Sequence, residues 1–382
     1  MGRFVVRLVV VGALALVGTP VVAGSAGAAM LSCGQVITQS TVLENDVGPC
    51  PANGANGIVV GASNITLDLN GHTVFGSASA RGEGAGVYML NRTGVTVRNG
   101  TVRDFDGGVA VDGGSGNTVT GITARDNIGT LLVTRFGEGI ALLSSTHNRV
   151  TNNLVVHNGP FGGIGLYSQN NSEHARSTTG NATHNLIDSN QVVDNNLPRG
   201  PTINDSDGIR VERQGEFNTI TNNRVTGSGL DGIALFAFSP NNTVKFNAVH
   251  NNGFLNTSAR RGDGIRVFGG SHNTVVQGNQ ITGNAANGVI LHGVFNDRPP
   301  VLNSTVTDNV AVDNNRLPPI GPGPLGGPTF DLNDGNPDCD NIVWLRNTYR
   351  TASPACTTEL CDPPNTRMPS PRRAEVFRNP LL

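Results

Sequence analysis

Gly208–Val211 (Gly-Ile-Arg-Val) and Gly232–Leu235 (Gly-Ile-Ala-Leu) are two copies of a motif that occurs six times between positions 139 and 291. The motif is Gly, then Ile or Val, then a variable residue, then Val or Leu, and its other copies begin at Gly139, Gly163, Gly264 and Gly288. Three of the five spacings between copies are 24 residues, and the other two, 45 and 32, are consistent with loops inserted into the same unit. A fixed period of roughly 20–50 residues indicates a solenoid.

A second motif, Asn-x-[Val/Ile]-x-x-Asn-x-[Val/Ile], follows the first within the repeat and occupies Asn148–Val155. Other copies of this second motif begin at Asn185, Asn218 and Asn242. A further Asn lies ten residues after the first one at Asn158, Asn195 and Asn252. Ser228 interrupts that series. Between Asn273 and Asn279 one extra residue intervenes, which predicts a β-bulge.

The apolar residues of both motifs alternate with polar ones over three or four positions, which is the periodicity of a short β-strand. Three such strands with their turns fit into 24 residues, and no segment has the spacing of an amphipathic helix. The signatures of leucine-rich repeats, six-residue left-handed helices and calcium-binding nonapeptide solenoids are missing. The remaining architecture is all-β, a right-handed parallel β-helix solenoid with three strands per coil. Asn favours its corners because it tolerates the left-handed backbone conformation, and stacked amides can hydrogen-bond along the axis.

The repeat resembles the pectate-lyase-like superfamily of right-handed parallel β-helices over about residues 33–356. The resemblance implies the fold but no single activity, because many members bind or cleave polysaccharides and others, such as the nitrous-oxide-reductase maturation proteins, do not. The chain lacks the Asp-Pro-His-Asp run of alginate epimerases, the Gly-His-Gly and Arg-Ile-Lys signatures of polygalacturonases and the Arg-x-Pro-x-x-Arg of pectate lyases. No catalytic residue is therefore transferred from these families.

Residues 1–29 have the features of a secretory signal peptide. Arg3 and Arg7 form its charged region, residues 8–22 its apolar region, and Ala26–Ala28 a cleavage site of small residues. An uncleaved membrane anchor is the alternative, but the apolar run is short and rich in Gly and Ala. The residues before Cys33 also make a poor lipoprotein signal. We therefore expect a secreted, extracellular protein with no membrane segment after cleavage.

The rest of the chain is expected to form one domain, residues 30–356, because a solenoid grows along its axis. Gly accounts for 51 of 382 residues and aromatic residues for only 5%, as suits thin coils with tight corners. Loss of Arg3 and Arg7 changes the formal net charge from −2 to −4, and this mild acidity argues against nucleic acid as a partner. Trp344 is expected to cover the last coil, and residues 357–382 to form a disordered Pro/Arg-rich tail. We expect a monomer.

Five cysteines lie near the ends of the predicted solenoid and none lies within its repeats. Export permits disulfides, and the placement predicts two clips on the end caps, Cys33 with Cys50 and Cys339 with Cys356. Each clip closes a loop of 17 residues and would stabilise an exposed solenoid end by about 3 kcal/mol in the loop-entropy model. Cys361 is either a free thiol or an alternative partner of Cys339. No metal site or cofactor is predicted, and a calcium requirement stays open without a motif to indicate it.

Outward-facing side chains of the Gly-Ile strands are the candidates for function, because the apolar residues on either side of them point inward. The variable residue of each motif forms a first column, which includes Arg210 and Arg266. A second column includes Tyr167, Glu212, Phe236, Phe268 and His292. The residue before each Gly forms a third column, with Asp207, Asp231 and Asp263 at successive coils. Successive coils lie about 4.8 Å apart, so the columns are continuous.

Loops inserted at 128–137, 197–206 and 253–262 precede Gly-Ile strands, and loops at 169–183 and 293–302 follow them. These loops are expected to bracket a groove along the Gly-Ile sheet, since loops on a rigid scaffold commonly carry function. In that groove Tyr167, Phe236 and Phe268 would offer flat apolar faces to a sugar. Arg210 and Arg266 would hold uronate carboxylates by paired hydrogen bonds, with Glu212 beside them.

Three interpretations stay open. The one we favour is a protein that binds an extracellular, acidic polysaccharide along this groove, in which Asp before Gly can simply make the turn. The second is an enzyme. A hydrolase would use two carboxylates of the Asp column at about 5–5.5 or 6.5–9.5 Å, and a lyase or C5-epimerase would use His292 as base beside Arg266. The third is a structural surface protein without catalysis.

Overall fold

The computed structural model describes residues 27–51, 53–77, 84–129, 136–168, 179–197, 206–255, 261–293, 299–320, 327–336 and 341–353, and the backbone of 366–367. Residues 1–26 of the predicted signal peptide lie outside this described part of the chain. So do Cys339, Cys356, Cys361, nearly all of the predicted tail, and most of the loops expected to bracket the groove. The predictions for those residues therefore stay predictions.

The described residues form β-strands and turns, and no helix long and apolar enough to cross a membrane occurs among them. The strands are β1 (Gly27–Ala29), β2 (Gln35–Ile37), β3 (Thr41–Leu43), β4 (Ile58–Val60), β5 (Thr66–Asp68), β6 (Thr73–Phe75), β7 (Ala85–Leu90), β8 (Thr96–Arg103), β9 (Gly107–Asp112), β10 (Thr118–Arg125), β11 (Glu138–Leu143), β12 (Arg149–Thr151), β13 (Leu154–Val156), β14 (Gly162–Tyr167), β15 (Leu186–Asp188), β16 (Gln191–Val193), β17 (Asp207–Glu212), β18 (Thr219–Thr221), β19 (Arg224–Thr226), β20 (Ile233–Phe236), β21 (Thr243–Lys245), β22 (Ala248–His250), β23 (Ile265–Phe268), β24 (Val275–Gln277), β25 (Gln280–Thr282), β26 (Val289–His292), β27 (Thr305–Thr307), β28 (Val310–Val312), β29 (Leu332–Asp334), β30 (Val343–Leu345), β31 (Thr348–Tyr349) and β32 (Thr366–Arg367).

The strands build two parallel sheets that wind around one core. An 11-stranded sheet, here called the Gly-Ile sheet, contains β2, β4, β7, β9, β11, β14, β17, β20, β23, β26 and β29. The other 21 strands form the second and third sides of the coils. Most coils contribute three strands, as β17, β18 and β19 do, and each strand pairs in parallel with its counterpart in the next coil. In two coils one long strand, β8 or β10, covers both the second and the third side. The predicted all-β parallel β-helix with three strands per coil is confirmed.

The core is a set of straight columns of inward-facing apolar side chains. Val211, for example, is in register with Leu166 on one side and Leu235 on the other, and all three are fully buried. Full burial of each such side chain contributes roughly 1.5–3 kcal/mol, and only neighbouring coils can provide it. Trp344 on β30 ends the column that contains Val306, and it is fully buried in the last coil, as expected. Its indole Nε1 donates to Asp334 Oδ2 at 3.1 Å.

The recurrent Asn residues line the inside of the corners and bond from coil to coil. In one ladder, the backbone N–H and the side-chain amide of each Asn both donate to the Oδ1 of the next Asn, at 2.9–3.0 Å. This ladder runs through Asn153, Asn190, Asn223, Asn247, Asn279, Asn309 and Asn347. The predicted stacking of amides along the axis is therefore present, and it satisfies polar groups that would otherwise be buried without partners.

The expectation that these Asn residues adopt the left-handed conformation is wrong in one respect. The residue before each ladder Asn has positive φ instead, and it is chemically diverse: Asn152, Ser189, Asn222 and Phe246 have φ of 55–58°. A side chain in the left-handed position points out of the corner, whereas the ladder requires the amide to point in. The two demands on the corner are therefore divided between adjacent residues.

Close packing explains the Gly that opens each motif. A Cβ built on Gly139 would lie 2.5 Å from Val155 Cγ1 and 2.7 Å from Asn158 Nδ2. On Gly232 it would lie 2.4 Å from Val249 Cγ1 and 2.8 Å from the ladder amide of Asn252. These glycines have no positive φ, so they are needed because the corner Asn and the third-strand Val occupy the space of a Cβ.

The bulge expected between Asn273 and Asn279 is absent. Asn273 has φ of 54° and takes the corner position, so that Thr274 occupies the ladder position and donates its N–H to Ser304 Oγ at 3.0 Å. Strand β24 consequently stays in register with β21 and β27. The extra residue of the motif reflects a substitution of Thr for Asn in the ladder and not an inserted residue.

The amino-terminal end carries the predicted clip, since Cys33 and Cys50 form a disulfide with Cα atoms 5.5 Å apart. Strand β1 pairs with β3 in this first part of the solenoid. At the other end, the backbone of β32 pairs with β31, within the segment expected to be a tail.

Candidate functional site

The strand register places the predicted site residues on the outer face of the Gly-Ile sheet. Arg210, Ala234, Arg266 and Ile290 are in register on successive strands and form the first column. In the second column Tyr167 is in register with Glu212, Glu212 with Phe236, and Phe268 with His292. Arg210 and Arg266 therefore lie on the same side of the molecule, two coils apart.

This outer face is much less open than a solvent-filled groove. Nine of the ten predicted site residues are buried, including Arg210 with 6% of its surface exposed, Arg266 with 3% and Asp231 with 1%. Only Phe236 is half-buried. Alternation along the strand correctly gives the side of the sheet to which a residue points, but it carries no information on what else covers that side.

The amino-terminal half of the face carries an apolar and aromatic cluster, beside which the carboxylates of Asp112 and Glu138 are buried. The buried members of the cluster are Ala85, Tyr88, Ala110, Phe136, Ala141, Leu143 and Tyr167. The Tyr167 ring folds back over Gly165, where a Cβ would lie 2.2 Å from Tyr167 Cε2. Burial, and secondly the nearby Glu138 carboxylate, raise the pKa of the Tyr167 hydroxyl well above its usual value. Tyr167 is therefore held neutral inside the cluster and is not accessible to a sugar there.

The carboxyl-terminal half of the face is charged, and its backbone is tied together by the Asp column. Asp207 Oδ1 accepts the N–H of Asp231 at 2.9 Å, and Asp231 Oδ1 accepts the N–H of Asp263 at 2.8 Å. Asp263 Oδ1 in turn accepts both the backbone N–H and the side-chain amide of Asn287, at 2.9 and 2.8 Å. One oxygen of each carboxylate thus links neighbouring coils. The second oxygens of Asp207 and Asp231 face Arg210 and Arg266.

Arg210 lies within a buried group of charges. Its Nε is 2.9 Å from Glu212 Oε2, and its Nη1 donates to Asp207 Oδ2 at 3.4 Å. Arg213 Nε lies 3.3 Å from the other oxygen of Glu212. The Arg210 guanidinium also lies over the Phe236 ring, 4.6 Å from its centroid. These contacts hold the guanidinium in one orientation.

Arg266 has a similar setting two coils further along the axis. Its Nε donates to His292 Nε2 at 3.0 Å, and its Nη1 lies 3.8 Å from Asp231 Oδ2. The guanidinium stands over the Phe268 ring at 4.7 Å. His292 accepts this bond through Nε2, which requires that nitrogen to be unprotonated.

The aromatic residues of the second column form a continuous stack beside the arginines. The Phe236 and Phe268 rings are 5.1 Å apart between centroids, and Phe268 and His292 are 4.7 Å apart. The stack buries one side of both guanidinium groups. Cation–π contact of this kind contributes roughly 0.5–2 kcal/mol, depending on how far water is excluded.

A cleft of about 40 Å³ opens over the last strands of the Gly-Ile sheet. Its floor is formed by Arg266, Ile290 and Asn333, which are in register on β23, β26 and β29. His292 lines it from the second column, and Asp263 and Asn287 line it from the third. The other lining residues are Arg261, Ala286, Pro319, Gly327, Pro328 and Thr329.

The cleft therefore brings together three predicted site residues, Asp263, Arg266 and His292. The other seven lie beside it along the sheet: Tyr167, Asp207, Arg210, Glu212, Asp231, Phe236 and Phe268. Sequence reasoning missed Arg261, Asn333 and the segment 327–329, because these belong to no copy of the motif. The one available signal was the Asn-Asp run at 333–334, which is the last, degenerate Gly-Ile strand.

The fold and the site together define a parallel β-helix protein with a charged cleft at one end of a sheet. The chain belongs to the family whose model is described as "Periplasmic copper-binding protein (NosD)", which matches residues 63–259, more than half of its length. A model described as "Right handed beta helix region" matches residues 192–350. The predicted membership of the right-handed β-helix superfamily is confirmed.

Several solved structures share the fold at low identity. The Dettilon tailspike protein is 16% identical with a TM-score of 0.49, over 82% of this chain and 54% of that one. A mutant of the periplasmic alginate epimerase AlgG is 16% identical with a TM-score of 0.48, over 83% and 78%. The A-module of mannuronan C-5 epimerase AlgE6 from Azotobacter vinelandii is 15% identical with a TM-score of 0.47, over 84% and 80%. The chain thus spans about half the length of the tailspike. A search of curated proteins found no match.

Proposed function

We propose that the protein is exported, acts as a monomer and binds an acidic polysaccharide at the cleft formed by Arg266, Ile290 and Asn333. The observation that carries this proposal is the setting of Arg266. The Arg266 side chain is 97% buried and lines the cleft, and its guanidinium is oriented by His292, Asp231 and Phe268. A guanidinium fixed in this way is suited to a planar carboxylate, with which it can form two parallel hydrogen bonds.

The other groups around the cleft suit the rest of a sugar residue. The amides of Asn287 and Asn333 can exchange hydrogen bonds with hydroxyl groups, and Asn333 Nδ2 is already held by Asn287 Oδ1 at 2.9 Å. Ile290 supplies an apolar patch in the centre of the floor. A small number of placed polar groups around apolar surface is typical of ligand sites.

The buried charges on the outer face are also better explained by a function than by a contribution to stability. Taking an ion pair out of water costs several kcal/mol per ion, and apolar residues of similar volume are often as stabilising or more so. The amino-terminal half of the same face is covered mainly by apolar side chains and buries two strand carboxylates, Asp112 and Glu138. The carboxyl-terminal half buries two arginines and four acidic residues: Arg210, Arg266, Asp207, Glu212, Asp231 and Asp263. A group of buried ionisable residues beside a cleft is therefore a candidate binding site.

Retention by immobilised polysaccharides tests this proposal. The wild-type protein is expected to be retarded by polyuronates. Arg266→Gln is expected to abolish the retardation and to lower the unfolding midpoint in urea, because Asp231 loses its partner, while the variant remains folded under the conditions of the assay. Arg210→Gln should weaken retention less, because Arg210 orients its neighbours and does not line the cleft. The matched control is Arg98→Gln, the same change of charge at a surface pair with Asp68. Equal retention of Arg266→Gln and wild type would contradict the proposal, and retention by no polysaccharide would favour a structural surface protein.

A second candidate, a lyase or C5-epimerase, is favoured by one contact. His292 and Arg266 lie 3.0 Å apart and both line the cleft. If a bound uronate draws the Arg266 guanidinium away from His292 Nε2, that nitrogen becomes free to act as a base beside the cation. Such a base removes the proton next to the carboxylate while the cation stabilises the resulting charge. A hydrolase is less favoured, since Asp207 and Asp231 are each 1% exposed, lie outside the cleft and use one oxygen for the backbone.

Incubation with the polysaccharides that are retained separates these candidates. A lyase would produce ultraviolet absorbance from an unsaturated product, an epimerase would change the ratio of uronate isomers, and a hydrolase would release reducing ends alone. His292→Gln should abolish either of the first two activities and leave retention measurable. A binding protein gives none of these signals with wild type.

The family name raises copper as a ligand, and the described residues do not fit it. Among them no group of three or more His, Cys, Asp or Glu side chains is arranged to hold a metal ion. His147 and His184 do lie together, but their rings stack with 5° between their planes and 4.8 Å between centroids. The lone pair of an imidazole lies in its ring plane, so two parallel rings cannot direct their lone pairs at one ion. We assign no copper centre to this part of the chain.

A further inference from the structure

We infer that the cleft binds the end of an acidic chain and not an internal stretch, an inference that rests on the proposed function. The outer face along the solenoid axis has the shape that a chain end requires. A polymer that lies along the axis needs an open floor over several coils. Between Tyr88 and Asn333 of the first column, the described residues are half-buried only at Ile290 and Asn333, where the cleft opens.

The floor is closed in the direction of the amino terminus. It closes at Arg266, which is 3% exposed, and the residues in register before it, Ala234 and Arg210, are 1% and 6% exposed. Further back in the same column Ala141 and Ala110 are 2% and 0% exposed. A chain that entered the cleft could not continue along this column.

The cleft is also bordered by a wall that is hydrogen-bonded to the solenoid. The Asn315 and Leu317 N–H groups donate to the carbonyls of Ala286 and Ala285 at 2.6 and 3.0 Å. The Phe330 N–H donates to Asn287 Oδ1 at 2.8 Å. Pro319 and the segment 327–329 line the cleft between these anchors. The wall is thus fixed at both of its described ends, and in the other axial direction β29 is the last strand of the Gly-Ile sheet.

The size of the cleft agrees with a single charged group. The space of about 40 Å³ inside the cleft corresponds to roughly three water molecules, which need about 10–15 Å³ each. The cleft therefore takes the carboxylate, while the ring of that sugar lies over the cleft mouth against Ile290, Asn287 and Asn333. A carboxylate fits, and the two arginines of the lining, Arg261 and Arg266, have the matching charge. The terminal uronate would place its carboxylate between them while the remainder of the chain extends into solvent.

The inference is tested by cutting one polyuronate into shorter chains and comparing equal masses of long and short material in calorimetric titrations of the full protein. If chain ends are bound, the number of binding sites per unit mass rises in proportion to the number of chains. The dissociation constant per chain is expected to stay the same from the trimer upward. A capacity per unit mass that does not change on cutting would overturn the inference and leave the proposed function intact. Absence of binding to both samples would overturn the two together.

Two substitutions locate the bound end. Ile290→Trp fills the floor with a side chain that points away from the core, and it is expected to abolish binding of the short chains. Thr243→Trp, at a half-buried outward position on the other sheet, is the matched control and should bind like wild type. Unchanged affinity of Ile290→Trp for short chains would overturn the inference even if the capacity experiment succeeded.

Discussion

The corner ladders and the Asp column contain the same type of hydrogen bond, from a backbone N–H to a side-chain oxygen, but the two differ in charge. In the ladder through Asn223, an amide oxygen accepts the N–H of the neighbouring coil, with Asn223 N and Asn247 Oδ1 2.9 Å apart. In the Asp column, a carboxylate oxygen does so, with Asp231 N and Asp207 Oδ1 also 2.9 Å apart. Both sets of side chains are buried. The ladder is neutral along almost its whole length, whereas the column carries three carboxylates in succession.

The difference shows that charge in the column is not required by the backbone. Asn287 continues the column with a neutral amide, and its Oδ1 accepts the Phe330 N–H at 2.8 Å. What the carboxylates add is a second oxygen with negative charge, which Asp207 directs to Arg210 and Asp231 to Arg266. The ladders therefore hold the coils together, and the column in addition positions the arginines beside the cleft.

The largest expected effect comes from a break in a ladder. Asn223→Ala removes an Oδ1 that accepts two hydrogen bonds from Asn190 and a side-chain amide that donates to Ile187, Thr221 and Asn247. Each buried group left without a partner costs about 1–3 kcal/mol, so we expect a loss of roughly 3 kcal/mol or more in the free energy of unfolding. Urea unfolding followed by circular dichroism measures it. Asn196→Ala, a half-buried Asn outside the ladders, is the control and should lose much less.

An intermediate effect is expected from neutralising the column. Asp231→Asn keeps the bond to the Asp263 N–H but removes the charge opposite Arg266, and leaves a buried guanidinium with weaker compensation. We expect a loss of about 1–3 kcal/mol and weaker binding of polyuronates. Asp308→Asn makes the same chemical change at an exposed pair with Arg346 and should cost less than about 1 kcal/mol. If both variants lose equally little, the column is no more than another ladder.

A gain in stability is expected where a ladder is interrupted. Another ladder runs through Asn158, Asn195, Asn252 and Asn284, with Ser228 in place of an Asn between Asn195 and Asn252. The Ser228 hydroxyl oxygen is buried without a hydrogen-bond partner. Ser228→Asn would restore an acceptor for Asn195 and a donor for Asn252, next to Gly208, where the absence of a Cβ leaves room. We expect about 1 kcal/mol of added stability in urea unfolding. A loss instead would indicate that this corner has closed around the smaller side chain.

The smallest expected effect is on the pH dependence of stability. The neutral Asn ladders do not titrate, so a single histidine at a corner can be tested. Burial lowers the pKa of His272 below the ordinary 6.5, and its Nδ1 accepts the Leu302 N–H at 3.1 Å. A lowered pKa in the folded state means that the unfolded chain takes up the proton first. Stability from this contact is thus complete above about pH 6.5 and is lost as the pH falls through the lowered value. His272→Asn should flatten the decline of the unfolding midpoint between pH 7 and 5, and an unchanged slope would exclude this contact as its source.

Much of the fold could be predicted because the repeat is local and regular. The Gly-Ile motif fixes which residues face the core, and its period fixes which residues stack, so the columns through Arg210 and Arg266 follow from spacing alone. The division of each corner between a left-handed residue and a ladder Asn could not be predicted, because both positions can hold Asn, as in Asn222-Asn223. The burial of the outer face and the wall of the cleft depend on segments joined over long distances, such as 315–330, which have no periodic pattern.

The claim that the Asp column and its arginines serve a ligand is tested most directly by calorimetric titration of a short oligouronate into the wild-type protein and Arg266→Gln, with urea unfolding of both. The account predicts saturable binding by the wild type and none by Arg266→Gln, although the variant is still folded at the titration temperature, with a lower unfolding midpoint because Asp231 has lost its partner. Equal binding by the two proteins, or a variant that binds normally but unfolds much more easily, would show that Arg266 belongs to the fold and not to a site.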